Sequence, residues 1–322
     1  MSEVTTGATV GATTGTSAGA SGVSGVKSGR LAIVFAGQGA QSVGMGSDLH
    51  ASDDITRRLF AQIEAHCPGV TKYCFDGPAE TLNDTLYTQP ALFAVDLAIA
   101  RKLEAAGIHA DGVAGFSLGE IPALAYAGVL TDEQAADLVC FRARVVKECS
   151  DRHPGTMLAV LKLSADKVDE VAASVPDCWP VNYNCDGQTV VACAKASAEP
   201  LKQAVAAAGG KAMPLTVSGA FHSPYMDGAS EALAERVKNE AFSAPRIPVY
   251  ANRTAQIYAE PSRLIAEQVN HPVLWHKTVE TMIADGFTTF IEVGPGKTLT
   301  TLIRKISPDT RVFNASNLES IE

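Results

Sequence analysis

The sequence predicts an α/β protein built on a largely parallel sheet, and three observations support this fold class. Short apolar segments such as Leu31–Phe35 and Gly112–Gly115 end at glycine-containing turns, as buried strands do. Segments with apolar residues at helical spacing alternate with these strands, which is typical of a parallel sheet. Between residues 155 and 215 the predicted order becomes β-α-β-β-α-β, which indicates a ferredoxin-like subdomain.

The composition favours a globular protein and excludes several function classes. Of 322 residues 46% are apolar, and the formal net charge is −9. This charge argues against general binding to nucleic acids or anionic membranes. No apolar run reaches the roughly 18 residues that a membrane span needs. The seven cysteines include no CxxC pair, so we expect reduced thiols, a cytoplasmic location and, for one α/β core of this size, a monomer.

The chain divides into three parts by composition and pattern. Residues 1–30 contain 22 Gly, Ser, Thr or Ala, which predicts a disordered leader. This segment has neither the apolar stretch of a secretory signal nor the arginines of a transit peptide. We assign residues 31–154 and 216–322 to the core and residues 155–215 to the inserted subdomain.

Local signals place the individual elements. Pro90 suits the first turn of a helix over Ala91–Ala105. Thr131 and Gln134 form a capping-box pattern that opens a helix to about Lys147. The other predicted strands are Met157–Leu163, Val181–Asn184, Thr189–Cys193, Lys211–Val217, Pro248–Asn252 and Thr288–Val293. The other predicted helices are Leu118–Ala127, Ala165–Ala173, Glu199–Ala208, 229–238, 274–284 and one after Gly296.

A nucleophile elbow is the strongest local signal. Residues Gly115–Gly119 (GFSLG) match G-x-S-x-G and lie between a predicted strand and a predicted helix, which is the context this motif requires. The glycines permit a tight turn that exposes the Ser117 hydroxyl. The following helix N-terminus directs amides at the same place, where an oxyanion could be stabilised. The alternative is a chance match in a glycine-rich chain.

A serine nucleophile needs a base, and His222 is the best-placed of the seven histidines. It lies in a loop of small residues after a predicted strand, a location typical of catalytic groups. The others lie on helix flanks or beside proline, where surface roles are expected. His271 and His276 are five residues apart rather than four and lack an acidic partner pattern, which disfavours a metal site.

Arg142 is the third candidate residue. It shares a helical stripe with four apolar residues, whereas Arg144 falls on the polar face. A buried guanidinium requires an anion, because an unpaired buried charge is costly. Either an internal Asp or Glu supplies that anion, or a substrate carboxylate does so through two parallel hydrogen bonds.

Five ordered motifs make the chain resemble a known family. They are Val34–Met45 (VFAGQGAQSVGM), Thr88–Leu92 (TQPAL), Gly115–Glu120 (GFSLGE), Gly219–Ser223 (GAFHS) and Glu292–Lys297 (EVGPGK). Together they resemble malonyl-CoA:acyl carrier protein transacylases and the related acyltransferase domains of polyketide synthases. The resemblance covers about residues 31–305. It implies an α/β-hydrolase-like core with an inserted ferredoxin-like subdomain.

The resemblance also implies roles for matching residues. Ser117 would be the acylated nucleophile and His222 its base, held by a backbone carbonyl at Gln268 instead of a carboxylate. The backbone amides of Gln38 and Leu118 would form the oxyanion hole. The remaining residues implied in substrate binding are Arg142 for the malonyl carboxylate, and Gln89, Phe116 and Phe221 lining the pocket.

Two positions depart from the family pattern. Phe116 stands where the family commonly has His before the nucleophile, which would bear on the choice of extender unit. Residues Asn184–Gln188 (NCDGQ) lack the family's proline, so we expect a more mobile loop there.

The implied reaction is ping-pong transfer of malonyl from malonyl-CoA to the phosphopantetheine thiol of acyl carrier protein, without a cofactor. Lys297, Arg304 and Lys305 are candidates for a basic patch facing the acidic carrier protein. Three alternatives remain at this stage: a polyketide-type acyltransferase acting in trans with another extender unit, a serine esterase, and a non-catalytic docking module. The esterase predicts an acidic triad member, and the docking module predicts a lost Ser or His.

Overall fold

The computed structural model describes residues 29–217 and 219–321. Within them, the strands and helices account for both parts of the predicted fold. The strands are β1 (Arg30–Phe35), β2 (Gly112–Gly115), β3 (Gly155–Leu161), β4 (Cys178–Cys185), β5 (Gln188–Ala194), β6 (Lys211–Pro214), β7 (Val249–Tyr250), β8 (Phe287–Val293) and β9 (Arg311–Ala315). The helices are α1 (Ser47–Ser52), α2 (Asp54–His66), α3 (Val70–Asp76), α4 (Ala79–Leu82), α5 (Thr85–Ala105), α6 (Glu120–Tyr126), α7 (Asp132–Arg152), α8 (Ala165–Ala173), α9 (Ala198–Ala207), α10 (Asp227–Val237), α11 (Pro261–Glu267), α12 (Trp275–Ala284) and α13 (Thr298–Ile306).

The larger sheet has the order β7-β2-β1-β8-β9, and its neighbouring strands are all parallel. Its central strand β1 is buried on both faces. Leu31, Ile33 and Phe35 pack into one hydrophobic cluster, while Ala32 and Val34 pack into another on the opposite face. Helices therefore cover both faces, as parallel sheets require. The predicted α/β class is confirmed, and the carboxyl ends of β1 and β2 meet at one edge.

The smaller sheet is antiparallel with the order β4-β5-β3-β6. Helices α8 and α9 pack against it around a separate hydrophobic cluster. The element order from β3 to β6 is the predicted β-α-β-β-α-β. The division at residues 155 and 215 into two structural units stays a prediction.

Helix α5 corrects the predicted start at Ala91. It begins at Thr85, with the Asp84 side chain accepting a hydrogen bond from the Leu86 amide, and Pro90 lies inside it. Proline donates no backbone hydrogen bond, so the carbonyl four residues earlier loses its helical partner. That carbonyl, of Leu86, instead faces the thiol of Cys67, the residue that follows α2, with 3.6 Å between sulfur and oxygen. Pro90 was therefore a correct helix signal interpreted at the wrong position.

Other differences concern short or terminal elements. The capping box of Thr131 and Gln134 is present, but α7 continues to Arg152 and not Lys147. The sequence signals above do not identify α1, α3, α4, α11 or the edge strand β9, whose periodicity is too brief to detect. They also miss α2, although its 13 residues bury Thr56, Leu59, Phe60 and Ile63 at helical spacing. Residues 1–28 of the predicted leader lie outside the described residues. In the described part of the chain, no helix combines the length and apolarity needed to cross a membrane.

Candidate active site

The nucleophile elbow forms where β2 turns toward α6. Ser117 has a φ of 52°, a left-handed backbone conformation that costs a non-glycine residue about 1–3 kcal/mol. The turn is so tight that a Cβ on Gly115 would lie 1.9 Å from the carbonyl carbon of Gly119. Only glycine at position 115 permits this approach. The motif thus lifts the Ser117 side chain above the sheet edge, as its sequence predicted.

Ser117 and His222 form the expected hydrogen-bonded pair. Ser117 Oγ lies 2.7 Å from His222 Nε2. On the other side of the ring, Nδ1 is 2.9 Å from the backbone oxygen of Gln268 and 3.2 Å from that of His271. Two carbonyls can only accept, so Nδ1 carries the proton and Nε2 is free to accept the serine proton. This is the tautomer that a general base requires.

The surroundings of His222 favour its neutral form. Burial lowers the pKa of the imidazole, and the nearby Arg142 charge lowers it further, against the opposing effect of the two carbonyls. The resulting pKa is about 4. His222 is therefore neutral, and able to accept a proton, at every physiological pH.

Arg142 is buried, with only 4% of its surface exposed, as the helical stripe predicted, and Arg144 is exposed. Its guanidinium donates from Nη1 to Gln89 Oε1 and from Nη2 to Gln268 Oε1, the latter over 2.9 Å. Nη2 also lies 3.3 Å from Ser117 Oγ. The Ser117 hydroxyl thus contacts both the His222 imidazole and the Arg142 guanidinium.

The guanidinium is unusual in having only neutral partners. Within residues 29–217 and 219–321, it forms no ion pair with a carboxylate, and its Nε makes no hydrogen bond. Burial lowers the Arg142 pKa to about 10, while the charge of the more distant Glu120 acts in the opposite direction. An internal Asp or Glu partner, one of the two possibilities that the sequence left open, is absent from the described residues.

The amides of Gln38 and Leu118 are both available next to Ser117. Neither donates a hydrogen bond within the described part of the chain. Gly37, in the loop after β1, allows this loop to lie close to the elbow, since a Cβ at position 37 would lie 2.5 Å from the carbonyl oxygen of Phe116. Two unpaired amides beside a nucleophile can stabilise an oxyanion.

A pocket of about 570 Å³, including its open mouth, joins these groups. Its polar lining contains Gln38, Gln89, Ser117, Arg142, Asn182 and His222. Phe116 and Phe221 line it, and the Phe116 ring packs edge-on against Trp275 with 5.5 Å between centroids. Every site residue that the sequence predicted lies in or beside this pocket. The pocket can hold a small acyl group whose far end is anionic.

The chain matches known proteins over nearly all of its described residues. The family model described as acyl transferase domain matches residues 32–316. The chain belongs to the acyltransferase family. The resemblance that five motifs indicated is therefore confirmed.

Similar proteins cover almost the whole of this acyltransferase. The malonyl CoA-acyl carrier protein transacylase of Escherichia coli K12 is 38% identical over 298 residues, which are 89% of this chain and 96% of that protein. The crystal structure of an acyl carrier protein S-malonyltransferase from Vibrio cholerae aligns with a TM-score of 0.86 at 34% identity, covering 91% and 98% of the two chains. A malonyl-transacylase in complex with its type II polyketide synthase acyl-carrier protein aligns with a TM-score of 0.87 at 32% identity, covering 91% and 97%.

Several polar contacts of the acyltransferase site are not evident from the sequence. Gln268 was expected to contribute its backbone carbonyl, but its side chain also binds Arg142 and the Ser117 carbonyl. Asn252, Glu120 and Tyr258 form a buried group beneath the elbow. Asn252 closes a predicted strand on the same sheet edge as Ser117, and this was the one signal that could have revealed it.

The remaining predicted features can also be located. Lys297, Arg304 and Lys305 are exposed, and all lie on α13 or at its start. Arg304 donates to the Val312 carbonyl and Lys305 to the Gln188 side chain. Among the described residues, no group of three or more His, Cys, Asp or Glu side chains is arranged to hold a metal ion.

Proposed function

We propose that this acyltransferase moves a malonyl group from malonyl-CoA to the phosphopantetheine thiol of acyl carrier protein through a malonyl-Ser117 intermediate. One observation carries the proposal. The Arg142 guanidinium is buried beside Ser117 and His222 with only neutral partners among the described residues. The malonyl carboxylate is the anion that this cation lacks. The malonyl transacylases that resemble the chain support the same substrate.

The first half-reaction forms the acyl-enzyme. His222 Nε2 takes the Ser117 proton as Oγ attacks the thioester carbonyl. The oxyanion accepts hydrogen bonds from the Gln38 and Leu118 amides, each such donor contributing about 2.7–4 kcal/mol in comparable sites. When the tetrahedral intermediate collapses, the C–S bond breaks, and coenzyme A leaves with the proton that His222 holds.

The second half-reaction reverses this sequence with a new thiol. His222 removes the proton of the phosphopantetheine thiol, and the sulfur attacks the malonyl ester. The same two amides hold the oxyanion, and Ser117 leaves with the proton from His222. Arg142 holds the malonyl carboxylate in both half-reactions. Its Nη2 lies 3.3 Å from Ser117 Oγ, so it is next to the acyl group when that group is bound to Ser117.

The site argues against the esterase alternative. An esterase of this type holds its His with an acidic side chain. Here Nδ1 of His222 contacts the carbonyls of Gln268 and His271, and no carboxylate contacts it in the described part of the chain. The esterase alternative also does not explain the buried Arg142 beside Ser117. A trans-acting polyketide-type acyltransferase uses the same chemistry and differs in its extender unit, which Phe116 would influence.

The proposal includes the setting of the reaction. The enzyme acts as a cytoplasmic monomer and uses no cofactor, because proton transfer and oxyanion stabilisation suffice for thioester exchange. Seven free thiols support a reducing compartment. The acidic carrier protein docks near Lys297, Arg304 and Lys305.

Intact mass after incubation with malonyl-CoA alone tests the proposal. We expect a single malonyl adduct on Ser117, its loss in Ser117→Ala, and its discharge when acyl carrier protein is added. Peptide mapping identifies the acylated residue. An adduct on another residue, or none in the wild type, overturns the assignment. Acetyl-CoA under the same conditions is the control and should give far less adduct.

A further inference from the structure

Asn252 makes two hydrogen bonds to the backbone of the elbow. Its side-chain Oδ1 accepts from the Ser117 amide over 2.7 Å, and its Nδ2 donates to the Gly115 carbonyl over 2.6 Å. Asn252 follows β7, which pairs in parallel with β2 so that Tyr250 stands opposite Ala114. This register brings Asn252 beside the elbow although it is 135 residues from Ser117.

Asn252 is itself fixed on every polar atom. Its backbone amide donates to Glu120 Oε1, and its backbone carbonyl accepts from the Leu274 amide over 2.9 Å. The second Glu120 oxygen accepts from the Tyr258 hydroxyl over 3.1 Å. All of these side chains are buried, with Asn252 at 0% exposure. Asn252 therefore has one orientation, and the hydrogen bonds that it makes to the elbow are equally fixed.

These bonds determine which backbone amide of the elbow is already engaged. The left-handed conformation of Ser117 persists only where the surroundings impose it. Asn252 accepts a hydrogen bond from the Ser117 amide, and the Gln268 side chain donates one to the Ser117 carbonyl. Side chains therefore hold the peptide groups on both sides of the nucleophile. With its own amide engaged, Ser117 leaves the Leu118 amide as the elbow donor next to the oxyanion.

We propose that Asn252 is a positioning residue for acyl transfer, and that Glu120 holds it in place. Asn252 acts through the peptide planes on either side of Ser117 and does not line the substrate pocket. This inference rests on the proposed function. It predicts that changes at Asn252 slow the formation of malonyl-Ser117 with little effect on the binding of malonyl-CoA.

Two variants separate positioning from simple stability. In Asn252→Leu both bonds are absent at every pH, so we expect single-turnover acylation to fall about 100-fold uniformly between pH 5 and 8, with KM changed less than threefold. In Asn252→Asp an ionised carboxylate cannot donate to the Gly115 carbonyl, whereas a protonated one restores both bonds. We expect a similar loss at pH 8 and recovery of at least tenfold toward pH 5.

Asn314→Asp is the matched control. Asn314 is half-buried on β9 and donates to the Glu292 carbonyl, away from the elbow. Its acylation rate should match the wild type at each pH. If Asn252→Leu unfolds, the comparison of the pH profiles of Asn252→Asp and Asn314→Asp still tests whether Asn252 positions the elbow. Wild-type acylation by a folded Asn252→Leu, or no recovery of Asn252→Asp at low pH, overturns the inference. Neither result affects the malonyl-Ser117 adduct of the wild type, which tests the proposed function separately.

Discussion

Arg142 and Gln268 are joined by a hydrogen bond of 2.9 Å between Nη2 and Oε1, and the backbone oxygen of the same Gln268 lies 2.9 Å from His222 Nδ1. One residue therefore holds both the cation proposed to bind substrate and the proposed base. Its side-chain nitrogen also donates to the Ser117 carbonyl. Gln268 consequently positions groups for both substrate recognition and proton transfer, although it is 126 residues from Arg142 in the chain.

Arg142→Ala should remove the preference for malonyl over acetyl thioesters. A malonyl group carries the carboxylate that satisfies the guanidinium, whereas acetyl leaves it unpaired. A hydrogen bond to a charged group contributes about 1.5–3 kcal/mol, which corresponds to roughly ten- to more than a hundredfold discrimination. We expect kcat/KM for malonyl-CoA to fall by that factor while acetyl transfer is kept or rises.

Two further variants control this experiment. Arg142→Lys should rescue malonyl transfer only partly, because an ammonium cannot donate to both carboxylate oxygens in one plane. Arg144→Ala should behave as the wild type, since Arg144 is exposed on the other face of α7. An equal loss with both substrates in Arg142→Ala would make the residue structural and would remove the main support for a malonyl substrate.

Gln268→Ala should separate the two functions of that position. The substitution removes the contact to Arg142 but keeps the backbone carbonyl that faces His222 Nδ1. We expect kcat/KM for malonyl-CoA to fall about tenfold, since one hydrogen bond from a charged group is lost. The pH dependence of acylation should stay as in the wild type. A shifted pH profile would mean that the side chain, and not the carbonyl, sets the basicity of His222.

Acylation should stay fast at unusually low pH. The pKa of His222 is lowered to about 4 by burial and by Arg142, so the base stays neutral well below the ordinary histidine pKa of about 6.5. Single-turnover rates for malonyl-Ser117 formation should be flat from pH 8 to about 5. In Arg142→Ala the midpoint should move upward, because a positive neighbour is gone. A wild-type midpoint near 6.5 would contradict this prediction.

Glu120→Gln should change how stability depends on pH. Burial raises the pKa of the Glu120 carboxyl to about 7, against the opposing hydrogen bonds of Asn252 and Tyr258. Its protonated form is favoured in the fold, so its contribution is full below the unfolded pKa of about 4.5 and is lost as pH rises through 7.

Urea unfolding of both proteins at pH 5 and pH 8 measures this effect. Relative to Glu120→Gln, the wild type should lose about 2 kcal/mol of unfolding free energy between the two pH values. The variant keeps a neutral side chain at both pH values, so it is the reference against which the wild type is compared. Parallel pH profiles of the two proteins would show that Glu120 does not titrate in this range.

Removing residues 1–28 should leave stability and activity unchanged. Their composition offers too little apolar surface to offset the entropy of ordering. A chain that begins at Gly29 keeps Arg30, whose guanidinium donates to the Asp285 carbonyl over 2.6 Å and lies over the Phe287 ring. The Tm and malonyl transfer rate of the shortened chain are the measurements. A loss of several degrees would show that the leader packs on the core.

The sequence by itself determined the features that depend on local chemistry. Local patterns predicted the apolar strand β1, the capping box of α7 and the glycine-flanked turn of the elbow, and all three are present. Helical periodicity placed Arg142 inside and Arg144 outside, because burial on a helix follows its 3.6-residue repeat. Helix α5 is the exception, because Pro90 lies in its interior and the Leu86 carbonyl left without a helical partner faces the Cys67 thiol, a contact that no local pattern shows.

Only the tertiary structure decided which distant groups meet. The motifs imply the Gln268 carbonyl beside His222, but no local pattern shows that the Gln268 side chain contacts Arg142, or that Asn252 binds the amide of Ser117. These contacts depend on strand order and on the packing of helices that are far apart in the chain. Parallel strands bring their carboxyl ends to one edge, and the order β7-β2-β1 gathers residues from all three there. The physical reason is that burial selects each element locally, whereas hydrogen-bond partners in the interior are fixed only when the sheet assembles.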